Sequence, residues 1–375
     1  MIYVVAGILS SALLLLYRRP PSHHSPLHGL TFSSSMLNRR MTRNGNPLLG
    51  RLALLASFLI LFLVAACRYG IGTDYWSRHV PVFEQIRFGY ATDYEIGFVA
   101  LNRVVAWFTG DAQWLIVVMS FLTIFLVYRF IIRMSLQPAL SVLVFVFGGF
   151  YLEAFNLAQQ WLAVAILLNT IELALRRKRL AFVVLTILAV SIHSSAVVWL
   201  AFWPLLVLRL SRFWQFVLTV ATLLVILTAP QLLIQWAGQV APDYAWYLTS
   251  DYGEARAISP AVLVTSFLLF ACSFLAMRNE GGRNAYEKAT INMQMMSLFL
   301  FLASITVAYF FARLIYYFSP IQMIALPLLL AMIKKRHIRL WVGIGFLILY
   351  GVAFVHQFIV WNAHGVMPYE SVFSR

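Results

Sequence analysis

Charged side chains that could bind phosphate lie between apolar runs, where membrane proteins usually carry few of them. The stretch 68–103 is dense in charge of both signs, with Arg68, Arg78, Arg87, Arg103, Asp74, Glu84, Asp93 and Glu95. Arginine binds phosphate through paired, charge-assisted hydrogen bonds. A mixed-charge segment beside an apolar span therefore indicates a site for a charged substrate at the membrane face.

Three arginines are candidates for binding a phosphate or diphosphate. Arg68 directly follows an apolar run, and Arg313 lies between two others, in AYFFARLIYYFSP (308–320). Both are expected near the height of the lipid headgroups, and Arg103 is a third candidate. The alternative is that these arginines only reach towards lipid phosphate, with no specific substrate.

The segment YGIGTDY (69–75) resembles an anion-binding loop, because glycines let a ligand approach exposed backbone N–H groups. We expect Gly72, Thr73 and Tyr75 to contact the substrate. Asp74 is a candidate general base, or a carboxylate that orients Arg68. The Gly-Lys-Ser/Thr ending of a nucleotide-binding P-loop is missing.

Glu95 is a second candidate acid, and a buried carboxylate near the interface can act as a base. A structural ion pair with Arg78 or Arg103 would explain Asp74 or Glu95 equally well. His193 is a third candidate, which could deprotonate a hydroxyl or bind phosphate. A lone histidine in an apolar run is more often only packed and hydrogen-bonded.

Three amides near the start of one apolar run could bind a sugar or pair with a neighbouring helix: Asn156, Gln159 and Gln160. The chain lacks HExxH and CxxC motifs, and Cys67 and Cys272 have no metal-ligand spacing. The tripeptide Asp93-Tyr94-Glu95 is a weak metal signal. We expect neither a metal nor a cofactor.

Apolar runs define the elements that must position these groups. Hydrophobic residues make up 62% of the 375 residues, so the predicted fold is an all-α polytopic bundle with about 11 or 12 membrane segments and a cavity at its outer face. The runs are 2–17, 52–67, 113–132, 138–153, 156–175, 180–208, 213–230, 261–277, 290–310, 314–333 and 340–360.

Basic clusters set the orientation. The chain has 28 Lys+Arg against 13 Asp+Glu, and most basic residues fall in short segments between runs, as expected for cytoplasmic loops. This pattern explains the charge of +15 without nucleic acid. Residues 1–51 are predicted to form a retained N-terminal helix, starting outside, and a basic cytoplasmic loop. Residues 52–375 are predicted to form the membrane-embedded domain.

Two segments depart from simple spans. Residues 180–208 carry basic clusters at both ends, so a re-entrant hairpin turning at His193 is favoured over one long tilted helix. Residues 94–109 are apolar but short and contain Arg103, which favours an interfacial helix on the outer side.

These residues, in this order, resemble the EpsG family of bacterial exopolysaccharide polymerases, a branch of the Wzy-type polymerases. The resemblance covers most of the chain from about residue 52. It is carried by RYGIGTDYWSR (68–78), YEIGFVALNRVV (94–105), FNLAQQWLAVAI (155–166), SIHSSAVV (191–198) and ARLIYYFSPIQMIALP (312–327).

The resemblance implies a glycosyltransferase at the outer face of the cytoplasmic (inner) membrane. Such a protein moves a growing glycan from a polyprenyl-diphosphate carrier onto a lipid-linked repeat unit, alongside a chain-length regulator and export machinery. The family's motif positions are occupied by Arg68, Asp74, Glu95, His193 and Arg313. One departure is Gln159-Gln160, where the family often has Arg-Gln. The alternatives are a flippase of lipid-linked oligosaccharide and a non-catalytic assembly subunit.

Overall fold

The computed structural model describes residues 1–17, 46–201, 203–207, 211–229, 235, 239, 259–276, 285–307 and 310–374. Those residues are nearly all helical, and the isolated bridge between Arg68 and Ser371 joins two extended segments. Most of the predicted basic loop of residues 1–51 lies outside the described residues.

The helices of the first half are α1 (Ile2–Leu14), α2 (Pro47–Ala66), α3 (Val80–Arg87), α4 (Ile96–Phe108), α5 (Gln113–Met134), α6 (Pro138–Phe147), α7 (Phe150–Asn156) and α8 (Ala158–Leu175). They are followed by α9 (Arg179–Ile192), α10 (Val198–Ala201), α11 (Trp203–Val207), α12 (Arg212–Thr228), α13 (Pro260–Ala276), α14 (Ala285–Thr306), α15 (Phe310–Phe318), α16 (Gln322–Met332) and α17 (Arg336–Phe354).

Within the described residues, six helical segments are long and apolar enough to cross a membrane, or seven if α6 and α7, bent by 50°, form one span. A multi-pass helical bundle is thereby confirmed. The other apolar helices, such as α1, α4 and α9, have 10–17 residues and fall short of the roughly 20 that a perpendicular span needs.

Helix α8 is the centre of the bundle. About 83% of its span is buried inside the protein, against 28% for α2. Trp161 of α8 is fully buried, and α5 and α9 pack along the same helix. A helix that is buried on most sides can hold polar side chains only where those side chains find hydrogen-bond partners. The polar residues at its start are therefore fixed by the packing.

A hydrogen-bond network ties α1 to this bundle. The hydroxyl groups of Ser10, Ser57 and Tyr128 contact one another over 2.6–2.9 Å. At the other end of α1, the Tyr3 hydroxyl donates to the Val366 carbonyl over 2.9 Å. In a medium without water, such pairing avoids the cost of unsatisfied polar groups.

The chain reverses at His193, as a hairpin at this position requires. The Gln159 amide, at the start of α8, donates to the Ile192 carbonyl, at the end of α9, over 2.8 Å. After the turn, the Trp199 indole donates to the Thr170 hydroxyl over 2.9 Å, about 16 Å further along α8 at 1.5 Å per residue. Trp203 then contacts Phe182 of α9 edge-on, with the ring centroids 4.3 Å apart.

The region 94–109 forms a single short helix, as predicted. Its outward side carries Ile96, Trp107 and Phe108, which are exposed, and its inward side carries Phe98, which is fully buried. A helix of 13 residues with exposed aromatic side chains suits the membrane interface.

The reversal at His193 predicts that both ends of this segment lie on one side of the membrane. In a chain with Cys67 and Cys272 replaced by alanine, Lys178→Cys and Ser211→Cys should react with an impermeant maleimide from the same side. Thr92→Cys should react from the opposite side. Labelling of the first two positions from opposite sides would instead support one long span.

Candidate functional site

The loop after α2 contains a backbone conformation that glycine adopts more readily than any other residue. Gly72 has φ +92°, and a side chain there would meet the Cα atom of Asn156 at 3.2 Å. Its N–H donates to the Gly365 carbonyl over 3.2 Å. Left-handed backbone and close packing thus account for this glycine, and the loop is held against both α7 and the C-terminal segment.

Asn156, the last residue of α7, clamps this loop. Its side-chain oxygen accepts hydrogen bonds from the Thr73 hydroxyl over 3.0 Å and from the Asp74 N–H over 2.8 Å. Its backbone carbonyl lies 3.2 Å from Nε2 of His79. Asn156 therefore holds Thr73 and Asp74 in place. The contacts of Asn156 and Thr73 with a substrate stay a prediction.

Tyr75 anchors the same loop from beneath. The ring is buried, and its hydroxyl donates to the Gln113 side-chain oxygen over 2.6 Å. The Gln113 amide group donates in turn to the carbonyls of Ala66 and Arg68. Residues Tyr75–His79 then form one π-helical turn, a wide turn that often marks functional sites.

Four side chains from separate elements form a chain of polar contacts, which we call the Glu95 relay: Arg78, Gln159, Glu95 and His193. Arg78 donates to Gln159 Oε1 over 2.6 Å, and Gln159 Nε2 donates to Glu95 Oε2 over 2.7 Å. The other carboxylate oxygen of Glu95 lies 3.4 Å from His193 Nδ1. It also accepts the Ser194 N–H over 2.7 Å.

The protonation states of the relay follow from its surroundings. Burial would raise the pKa of the Glu95 carboxyl, but His193 and the Ser194 N–H outweigh it and lower that pKa to about 2. Burial, with Arg78 and Arg313 nearby, lowers the pKa of His193 despite the opposing carboxylate. At neutral pH, Glu95 is an anion and His193 is a neutral imidazole.

Asp74 and Arg313 complete the cluster. Burial raises the pKa of the Asp74 carboxyl, while Arg78 and Arg313 act in the opposite direction. The Arg313 backbone is fixed because its carbonyl accepts a hydrogen bond from Gln160 Nε2 over 2.7 Å. The structure thus brings the predicted Asp74, Glu95, His193 and Arg313 together, with the three amides of α7 and α8 as supports.

Arg68 lies outside this open cluster. It is 1% exposed, donates to the Ala65 and Phe155 carbonyls and the Ser120 hydroxyl, and lies 4.6 Å above the Phe155 ring. Burial lowers its pKa to about 10, so it stays charged at neutral pH. In this arrangement Arg68 braces the loop, and contact with a phosphate would require these bonds to be exchanged.

Arg103 is also set apart. It is exposed on α4, about 12 Å along the helix axis from Glu95 at 1.5 Å per residue. Its predicted contact with diphosphate would have to be at the rim of the site.

Two residues of the cluster, Arg78 and His364, were not predicted from the sequence to be site residues. Arg78 was considered only as an ion-pair partner, yet it ends the Glu95 relay and lies 5.2 Å above the Tyr94 ring. His364 comes from the C-terminal segment, where its Nδ1 is 3.2 Å from the Asn156 amide nitrogen. Its φ of +66° is unusual for a residue with a side chain. Burial and Arg313 lower the pKa of His364 to about 4.

A cavity of about 250 Å³ adjoins the cluster. His364 belongs to its wall, as does Ala312, the residue before Arg313. In the part of the chain that the structure describes, no group of three or more His, Cys, Asp or Glu side chains is placed to hold a metal ion. The site is therefore built from arginines, carboxylates, imidazoles and amides.

A polytopic helical protein with such a cluster of charged and polar side chains fits a membrane enzyme or transporter. Comparison with family models narrows this class: residues 51–371 match the EpsG family. The chain belongs to that family, whose known members are polymerases of the Wzy type. No curated protein and no solved structure matches the chain.

The Glu95 relay depends on close contact between α4 and α9 at Gly97. A methyl group at Gly97 would lie 2.7–2.8 Å from the backbone carbonyl of Ser191, so Gly97→Ala must push the helices apart. We expect a loss of about 1–3 kcal/mol in stability, measured as a lower thermal unfolding temperature in detergent. Gly345→Ala is the control, because a methyl group there meets nothing within 4 Å. Equal behaviour of the two variants would contradict the proposed contact.

Proposed function

We propose that this protein is a polysaccharide polymerase of the outer face of the cytoplasmic membrane. It transfers a growing glycan from a polyprenyl-diphosphate carrier to a hydroxyl of a lipid-linked repeat unit. Family membership supports the polymerase class, and the Glu95 relay beside Arg313 is the observation that supports the chemistry. Transfer needs a base for the acceptor hydroxyl and cations for the departing diphosphate.

His193 is the best candidate for the base. Its Nδ1 faces the Glu95 carboxylate at 3.4 Å, which favours the tautomer with a proton on Nδ1 and a lone pair on Nε2. A neutral imidazole held this way accepts a proton, and the carboxylate stabilises the imidazolium that forms. Glu95, ionised and fully engaged, then serves as the orienting group. Asp74 is the other candidate base.

Arg313 and Arg78 are the cations best placed for the diphosphate, since both act electrostatically on Asp74 and on His193. In the proposed step, the acceptor oxygen bonds to the anomeric carbon as the bond from that carbon to the diphosphate oxygen breaks. The hydroxyl proton passes to His193, and the arginines stabilise the negative charge left on the carrier. Arg103 could guide the carrier at the rim.

Loss of the relay should abolish polymerisation. We expect His193→Asn and Glu95→Gln each to lower the rate by about 100-fold or more, within the usual range for general acid–base groups. Polymer would disappear while single repeat units accumulate on lipid, measured by gel analysis of cell extracts. Glu84→Gln is the control, because its ion pair with Arg87 is solvent-exposed and worth little. Wild-type polymer from both relay variants, at equal protein level, would exclude the relay from the chemistry.

The lowered pKa of His193 predicts the pH dependence. The rate should stay constant around pH 7 and fall on acidification, when the imidazole becomes protonated below its ordinary value of 6.5. Arg313→Ala removes a neighbouring positive charge, so protonation becomes easier and the midpoint should move to higher pH. The measurement is the initial rate of the purified protein against pH; an unmoved midpoint would assign the titration to another group.

A further inference from the structure

We propose that the cavity beside the cluster binds one sugar ring of the lipid-linked unit through the Glu153 carboxyl group. The inference rests on the proposed function and adds a specificity site to it. The wall includes Glu153, Gln357, Ser259, Tyr316, Trp361 and His364.

The cavity's size selects a single ring. Its volume of about 250 Å³ falls below the roughly 300–1,000 Å³ typical of sites for drug-sized ligands. One hexose-sized ring fits such a space, whereas a whole repeat unit or a diphosphate with its lipid does not. The rest of the substrate must then lie outside the cavity.

Glu153 provides an unused acceptor inside this cavity. Its side chain is 6% exposed, and Oε1 accepts a hydrogen bond from Gln357 Nε2 over 3.1 Å. Oε2 is buried and has no hydrogen-bond partner among the described residues. Leaving a buried carboxyl oxygen unpaired is costly, and a hydrogen bond from a ligand hydroxyl would pair it.

The neighbouring polar groups are already paired, which singles out Glu153. The Tyr350 hydroxyl donates to Gln322 Oε1 over 2.8 Å, and Gln322 Nε2 donates to the Ser266 hydroxyl over 3.0 Å. These two hydrogen bonds fix a polar wall on one side of the cavity. A ligand that placed a hydroxyl on Glu153 would meet a wall that needs no rearrangement, which favours binding.

Aromatic rings supply the apolar side of the site. Tyr316 and Trp361 both line the cavity, and the Trp361 ring is 4.6 Å from the His356 ring. A sugar ring has hydroxyl groups at its rim and C–H groups on its faces. Carboxyl and aromatic groups in one small space therefore suit a sugar better than a lipid chain, which needs no hydrogen-bond acceptor.

The cavity is also in the right place. His364 lines it and contacts Asn156, which holds Asp74. Ala312 lines it one residue before Arg313. A ring bound there would be a near neighbour of a diphosphate or acceptor sugar at the cluster.

Binding of two ligands to Glu153→Gln tests the proposal. The probes are undecaprenyl diphosphate without sugar and the lipid-linked repeat unit extracted from cells lacking this chain. Glu153→Gln keeps the shape but can replace the unpaired carboxyl oxygen with an amide NH2 group, which cannot accept a hydrogen bond, so the dissociation constant of this variant for the repeat unit should rise about tenfold. Its affinity for the sugar-free lipid should stay within about twofold.

Controls separate the outcomes. Glu153→Asp, which keeps the carboxyl group, should recover part of the affinity. Glu84→Gln should leave both affinities unchanged. Unfolding temperatures should show that each variant is folded. If both ligands bind wild type and Glu153→Gln weakens neither or both equally, the sugar site is wrong and the polymerase proposal stands. If wild type binds neither ligand, the proposed function itself fails, and the sugar site fails with it.

Discussion

An ionised carboxylate that is half enclosed by protein must be paired, and Glu95 is paired from three directions. The His193 ring, the Ser194 N–H and the Gln159 amide all converge on its two oxygens. Removing one partner of such an arrangement is costly, because the remaining charge stays buried. These contacts join the start of α4, the start of α8 and the reversal after α9, so the position of each element depends on the same carboxylate.

The polar groups near Glu95 are also paired with protein partners. The Asn156 side-chain oxygen accepts a hydrogen bond from the backbone of the loop that contains Asp74. The Arg68 guanidinium donates to two backbone carbonyls and a hydroxyl. The C-terminal segment closes over this loop, with the Tyr69 N–H donating to the Glu370 carbonyl and the Val372 N–H donating to the Cys67 carbonyl. Backbone without regular secondary structure is tolerated at the end of a membrane bundle where protein satisfies it. The loop that carries Asp74 is thereby held in place.

Local patterns in the sequence were enough to predict the helices and half of the site. Apolar runs predicted the bundle, and basic residues at both ends of 180–208 predicted the reversal at His193. His193 was identified as a polar exception in an apolar run, and Glu95 as a candidate acid of the charged segment 68–103. The sequence did not show that Glu95 and His193 contact each other, because their contact joins segments 98 residues apart and depends on the packing of α4 against α9.

Arg78 and His364 carried no distinguishing signal, since an arginine in a charged loop and a histidine in a tail are ordinary. The close packing around Arg68 could not be foreseen, because the C-terminal segment that covers it is distant in the chain.

The most direct measurement is an experimental structure of the protein in lipid nanodiscs with undecaprenyl diphosphate bound. The account predicts density for the diphosphate between Arg78 and Arg313, within reach of His193, with Glu95 still facing the imidazole and Arg68 still bonded to the carbonyls of Ala65 and Phe155. Diphosphate bound at a different end of the bundle, or a Glu95 side chain turned away from His193 in the complex, would contradict it.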